Sequence, residues 1–187
     1  MGPPIIHSNE GEKEGTLQAA KLMLLAARTA PKTAGVDDIF TSIVYGKEKD
    51  AIADKMDEMA EERKIKGFSR DAENVRDSVA VVLIGVRGSK NAALDCGACG
   101  HKGCQEFERM EKKWGDDFLG PTCIFKALDL GIALGSAAKS AGLLNVDNRI
   151  MYRIGAAVSK LKMLPKTSVI MGIPLSAKGK NIYFDRK

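Results

Sequence analysis

Long apolar runs are missing from this chain of 187 residues. None approaches the ~18–20 residues that a membrane-spanning helix requires, so no membrane association is expected. The opening stretch MGPPIIHSNEGEKEG has neither a basic leader nor an apolar core. That sets a secretory signal aside and predicts a cytoplasmic protein. Aromatic residues are scarce, at 5%, and form no stacking motif, so nucleic acid is not an expected partner. The P-loop, the Gly-x-Gly-x-x-Gly fingerprint and the serine nucleophile elbow are all absent. GVRGSK over 85–90 lacks the P-loop spacing and reads as the exit of a strand. Cysteine, finally, is missing from everywhere but one stretch: Cys96, Cys99, Cys104 and Cys123 are the only four. The disulfides of a secreted protein would be scattered along the chain, whereas thiols gathered in one segment point to metal binding.

What is present describes an ordinary globular domain. Hydrophobic residues make up 44% and charged residues 28%, enough for a real core without disulfide staples. Net charge is +5, and its excess sits late in the chain: residues 148–187 hold nine Lys/Arg against one acid, Asp185. Such an end suits a phosphate, a nucleic acid or an acidic redox partner, or is simply a solvated face.

Pattern and punctuation divide the chain as follows. Residues 1–14, broken by Gly2, Pro3, Pro4 and Gly11, read as an N-terminal tail, and residues 15–187 as one domain. A strongly apolar helix is predicted over 16–30 and ends at Pro31. A short strand follows at 40–45, then an amphipathic helix over 50–63 with Ile52, Met56, Met59 and Ala60 on one face. SVAVVLIGV over 78–86 reads as a strand buried on both faces. The Gly-rich segment 89–103 is irregular. A helix from Cys104 carries Phe107, Met110 and Trp114 on one face. The longest helix is predicted over 121–141, opened by Pro121 and closed by Gly142, with Ile124, Leu128, Gly131, Gly135 and Ala138 together on one side. A helix over 148–163, capped by Asp147, precedes a buried strand over 167–173 that Pro174 ends.

The cysteines follow the spacing Cys96-x2-Cys99-x4-Cys104-x18-Cys123. Four thiolates suit a [4Fe–4S] cube, one per iron, or a structural zinc. Gly97, Gly100 and Gly103 stand beside these positions and would let backbone wrap a bulky cluster. Cys104 and Cys123 are expected near helix starts, where negative charge is favoured. Zinc ribbons pair two C-x2-C knuckles and only one occurs here, so iron–sulfur is preferred, with zinc as the competitor. His101, between Cys99 and Cys104, reads as a neighbour of the site rather than a ligand.

The run CGACGHKGCQEFERMEKKWGDDFLGPTC resembles the small [4Fe–4S] domain of corrinoid iron–sulfur proteins. It shares their C-x2-CG-x3-C core, a Phe three residues on at Phe107, and a later cysteine, Cys123. The resemblance implies a cubane cluster but not a corrinoid partner. AARTAPKTAGVDDIFTSIVY, ALDLGIALGSAAKSAGLL and LPKTSVIMGIPLSAKGKNIYFDRK resemble three segments of FMN-type nitroreductases: the Ala-Pro-Ser loop, the long central helix, and the last strand with its basic tail. The joint layout is similar to an uncharacterised family described as containing a ferredoxin domain. It implies an α+β fold, a nitroreductase-like sheet flanked by helices with residues 87–123 as a cluster-binding insertion. It also implies a homodimer built on the central helix, with FMN at the interface. Carried over residue by residue, the flavin contacts would be Arg28, Pro31, Lys32, Thr33, Gly142, Leu143, Leu144 and Arg186. The early Arg-x-Ser-x-Arg motif of that family is absent here, and Val36, Asp37 and Asp38 replace its usual Asn and Gln.

The function expected from these readings is an FMN-dependent oxidoreductase in which the cluster passes single electrons to or from the flavin. Its electrons would come from or go to a redox partner protein or a small-molecule acceptor. The alternatives are a flavin-free iron–sulfur electron-transfer or redox-sensing protein, and a zinc-stabilised binding module. No catalytic proton donor stands out; Tyr45, Tyr152 and His101 are candidates that the sequence does not separate.

Overall fold

The computed structural model describes residues 5–184. A four-stranded antiparallel sheet lies at its centre, in the order β1 (Ile39–Tyr45), β2 (Ala80–Val86), β6 (Val169–Ser176), β5 (Asp147–Asn148). Helices α1 (Ser8–Thr29) and α5 (Ile124–Leu143) cover one face. Helices α2 (Lys47–Arg63), α3 (Lys66–Asp77) and α6 (Tyr152–Leu161) cover the other. Strand β2 shows why both faces are dry. Val82, Ile84 and Val86 enter the core beneath α1 and α5, while Val81 and Leu83 enter the core beneath α2, α3 and α6. Alternation on a pleat sends successive side chains to opposite faces, and β2 offers apolar groups to both. The expected α+β class is therefore found, with the sheet sandwiched between helices.

Between β2 and α5 the chain forms little regular structure: α4 (Cys104–Arg109) and a small hairpin, β3 (Lys113–Trp114) with β4 (Leu119–Gly120). The hairpin is anchored to the main sheet by the Leu119 N–H, which donates to the Ser168 carbonyl at 3.0 Å.

Several boundaries differ from the sequence reading. Residues 8–14 are the first turns of α1 rather than tail. Glu10 in the first turn favours the helix dipole, and the Thr16 hydroxyl donates back to the Glu12 carbonyl at 2.6 Å. Residues 1–4 of the expected tail lie outside the described residues. Helix α4 stops at Arg109, so Met110 and Trp114 do not continue the face of Phe107 and are exposed. Helix α5 begins three residues after Pro121 and runs past Gly142. Asp147 sits in β5, and α6 starts only at Tyr152, with Met151 as its N-cap. Pro174 lies inside β6. On the β5 side the ladder is interrupted there, between the Met151–Gly172 bridge and the pairs at Leu175 and Ser176, and a missing donor is tolerated at such a gap. Helix α6 meets β6 at Gly155, where an added Cβ would fall 1.7 Å from the Ile170 carbonyl oxygen. Only glycine permits that approach.

Candidate metal centre

All four cysteines are free thiols. They lie in the lobe between β2 and α5, and their exposure falls along the chain: Cys96 is exposed, Cys99 and Cys104 are half-buried, and Cys123 is buried. Gly97 (φ +68°) and Gly100 (φ +85°) take left-handed backbone in the loop that carries the first three. Asp95 organises that loop. Its carboxylate accepts the Cys104 N–H at 2.7 Å, and its own N–H donates to the Cys104 Sγ at 3.4 Å. The free N–H expected at Cys104 is thus taken by a side chain of the same loop. Asn91 adds a second tie, accepting the Ala93 N–H at 2.8 Å and donating to Glu108. Cys123 is the N-cap of α5 rather than a residue inside it, and its N–H donates to the Gly88 carbonyl at 2.8 Å. That bond fixes the last cysteine against the point where the loop leaves β2.

The donor set fits an iron–sulfur cluster. Four unpaired thiols are present, one already accepts an amide N–H, and glycine backbone flanks them. Among the described residues, no three His, Cys, Asp or Glu side chains converge as they would around a metal, so the structure does not bring the four thiols together into one centre. Lys112 stands over the Phe107 ring, 3.7 Å from its centroid. Burial there pushes its ammonium below the ordinary 10.5, against the opposing charges of Glu108 and Cys99. His101 packs edge-on to the same ring, at 6.0 Å, as a neighbour of the cysteine loop.

Behind Cys123 lies a buried charge network that sequence reasoning missed. Lys126, in the first turn of α5, is fully buried. Its ammonium is 2.9 Å from Asp38 Oδ2 and 3.8 Å from Asp129 Oδ2. Arg87 Nε donates to Asp38 Oδ1 at 3.0 Å. Burial pushes the Asp38 carboxyl up, but the hydrogen bonds and charges of Arg87 and Lys126 prevail and hold it below its ordinary value. Asp129 Oδ1 in turn accepts both the N–H and the hydroxyl of Thr33, each at 2.8 Å. Nothing in spacing or periodicity announces such a network, because its members come from three distant segments.

The flavin candidates among the described residues do not form one site within the chain. Arg28 is paired with Asp37 at 2.7 Å and also donates to the Ile39 carbonyl. The Lys32 ammonium donates to the carbonyls of Ala27 and Arg28. Thr33 has both donors on Asp129, and Pro31 is exposed beside them. Gly142, Leu143 and Leu144 stand at the far end of α5, where Leu144 borders the same hollow as Gly11 and Thr16 near the start of α1. From Asp129 to Leu143 the helix rises about 21 Å. Arg186 lies outside the described residues.

Comparison with known proteins gives two kinds of likeness. The family described as "Uncharacterized protein containing a ferredoxin domain" matches residues 119–186, a span that includes Cys123 but not the other three cysteines. An uncharacterized protein from Archaeoglobus fulgidus is 49% identical over 182 residues, covering 97% of each chain. Solved nitroreductases share the fold. The nitroreductase CinD from Lactococcus lactis superposes with a TM-score of 0.59 at 12% identity, over 100% of this chain and 87% of its own. A nitroreductase with bound FMN from Desulfitobacterium hafniense gives 0.57 at 15% identity, over 95% and 82%. The FMN-dependent nitroreductase NfnB from Mycobacterium smegmatis gives 0.56 at 12%, over 87% and 78%.

Proposed function

The chain belongs to the family of uncharacterized proteins containing a ferredoxin domain, and we propose that it is a redox protein whose Cys96, Cys99, Cys104 and Cys123 hold a [4Fe–4S] cluster. The observation that carries this reading is the set of four free thiols in the one segment between β2 and α5, with left-handed glycine backbone at Gly97 and Gly100 among the first three. A cluster bound there supplies one-electron exchange. The chain's own residues hold and tune it: Asp95 fixes the loop at Cys104, Gly88 fixes Cys123, and Lys112 brings positive charge to the Cys99 side.

The test is composition. Protein purified without oxygen should contain about four iron and four sulfide per chain and show a broad visible absorption that dithionite bleaches. Cys123→Ser should abolish the bleachable chromophore and lower the iron content. Stoichiometric zinc, or a chain with neither metal, would overturn the reading.

A second reading adds FMN, bound between two copies of the chain. One chain alone does not fit the flavin, because its candidate contacts lie at opposite ends of α5. The observation that favours a shared site is the outer face of that helix. Leu128, Gly131, Ile132 and Gly135 are exposed there, an apolar strip with room for a second backbone. Antiparallel crossing of two such helices near Gly131 and Gly135 would bring the Gly142–Leu144 turn of one copy towards the Thr33 end of the other. Cys123 and Asp129, the anchor of Thr33, are six residues apart on α5, about 9 Å along its axis, so the two centres would be neighbours. Flavin offered to the anaerobic protein and retained through gel filtration by dimeric protein supports this version. Iron without flavin returns the protein to the flavin-free reading.

A further inference from the structure

We propose that the groove between the β3–β4 hairpin and the loop after α6 is the docking surface for an acidic electron-carrier protein that reduces the cluster. This inference rests on the iron–sulfur reading above and names its partner. Two adjoining hollows, of about 450 Å³ and about 190 Å³, share Leu164, Pro165 and Lys166. Arg28 and Phe40 border the first, and Trp114 and Lys162 border the second. Trp114, the chain's single tryptophan, is 58% exposed on β3. A large aromatic left in solvent beside an apolar floor is the kind of group that anchors protein contacts.

The rim is positive. Lys162 and Lys166 are exposed and make no ion pair among the described residues. Of the acids nearby, Glu111 pairs with Lys113, Asp117 with Arg63 and Tyr152, and Asp37 with Arg28, while Asp116 in the hairpin turn is exposed. Both lysines also sit in left-handed backbone, at φ +54° and +68°. Glycine or asparagine takes such positions at lower energy, yet both carry a charged side chain here. Complementary charge steers a carboxylate-rich partner to this face, and electron-transfer encounters need only a small interface.

The groove and the thiols belong to the same stretch of chain: Trp114, which borders the groove, lies ten residues after Cys104 and nine before Cys123. On docking, one electron leaves the reduced carrier and enters the oxidised cluster. No bond forms and no proton moves.

The test uses holoprotein, anaerobic stopped-flow spectroscopy, and a reduced acidic two-cluster bacterial ferredoxin as the probe. The double variant Lys162→Glu/Lys166→Glu should slow cluster reduction by the ferredoxin about tenfold or more. Raising salt from about 50 to about 500 mM should slow the wild type similarly. Reduction by dithionite should not change, nor should the Lys178→Glu control, which alters an exposed lysine that does not line either hollow. Calorimetric titration with oxidised ferredoxin reads docking without electron transfer, so a chain lacking iron still decides the docking claim. Equal ferredoxin rates and affinities for wild type and double variant would overturn it. A salt-dependent shift of a random-sequence RNA that the double variant abolishes would overturn it too, by assigning the groove to nucleic acid.

Discussion

Lys126 is an ammonium group with no solvent exposure, placed in the first turn of a helix, where the dipole opposes positive charge. It is tolerated because Asp38 and Asp129 neutralise it at 2.9 Å and 3.8 Å. Removing one member of such a buried set leaves uncompensated charge, which typically costs about 3–5 kcal/mol. Lys126→Met should therefore lower the unfolding free energy read from urea titration by that order while the helix itself persists. Asp38 makes the same network pH-dependent. Its folded-state pKa lies below the ordinary 3.8, so the unfolded chain takes up the proton first on acidification. The stability it contributes is complete above 3.8 and is lost as pH falls through the lower folded value. In urea titrations followed by Trp114 fluorescence, the gap between wild type and Asp38→Asn should narrow as pH drops below that point. A gap that stays constant down to pH ~2 would separate Asp38 from the acid response.

At the scale of elements, the hairpin after α4 shows what the sequence makes legible and what it hides. Strand β2 is readable because six β-branched or leucine residues between 79 and 86 leave no polar face. The thiols are readable as a set because all four fall within 28 residues. The stop of α4 at Arg109 is not, since Phe107, Met110 and Trp114 keep helical spacing while the Lys112 ammonium binds the Phe107 carbonyl and the chain turns away. Helix α3 is not legible in the sequence because only three apolar residues, Phe68, Ala72 and Val75, mark its buried face within a charged segment. The flavin candidates illustrate a further limit: motif likeness names residues, but the partners that occupy their donors, such as Asp129 for Thr33, are set by tertiary contacts. The hairpin itself hangs on Asp117. Burial pushes that carboxyl up, yet the Tyr152 hydroxyl and the Arg63 guanidinium outweigh burial and hold it below the ordinary range. Charge-assisted bonds of this kind contribute about 1.5–3 kcal/mol. Asp117→Ala should cost about 2 kcal/mol and speed amide exchange at Leu119, whose N–H ties the hairpin to Ser168. Unchanged exchange there would mean that the Ser168 bond alone holds the hairpin.

At the scale of the whole molecule, the outer face of α5 sets a stability argument against an assembly argument. Gly131 and Gly135 lie mid-helix, where glycine is about 0.8–1 kcal/mol less favourable than alanine. A Cβ built on either meets nothing within 4 Å in the single chain. Nothing inside the protomer therefore calls for glycine at these two positions. A neighbouring backbone from a second copy would, and the flanking Leu128 and Ile132, 51% and 46% exposed, supply the apolar area for it. The two accounts predict opposite outcomes for Gly131→Leu. If the face is merely solvated, the variant should melt at or slightly above the wild-type temperature with the same molecular mass. If two copies meet there, light scattering should show the wild type as a dimer and the variant as a folded monomer, its helix content intact. The iron content should stay at the wild-type level in that monomer, because the thiol lobe is built within one chain. Any FMN retained by the wild type should be lost, because its proposed contacts come from both ends of α5. A variant that stays dimeric and keeps its flavin would remove α5 from the interface altogether.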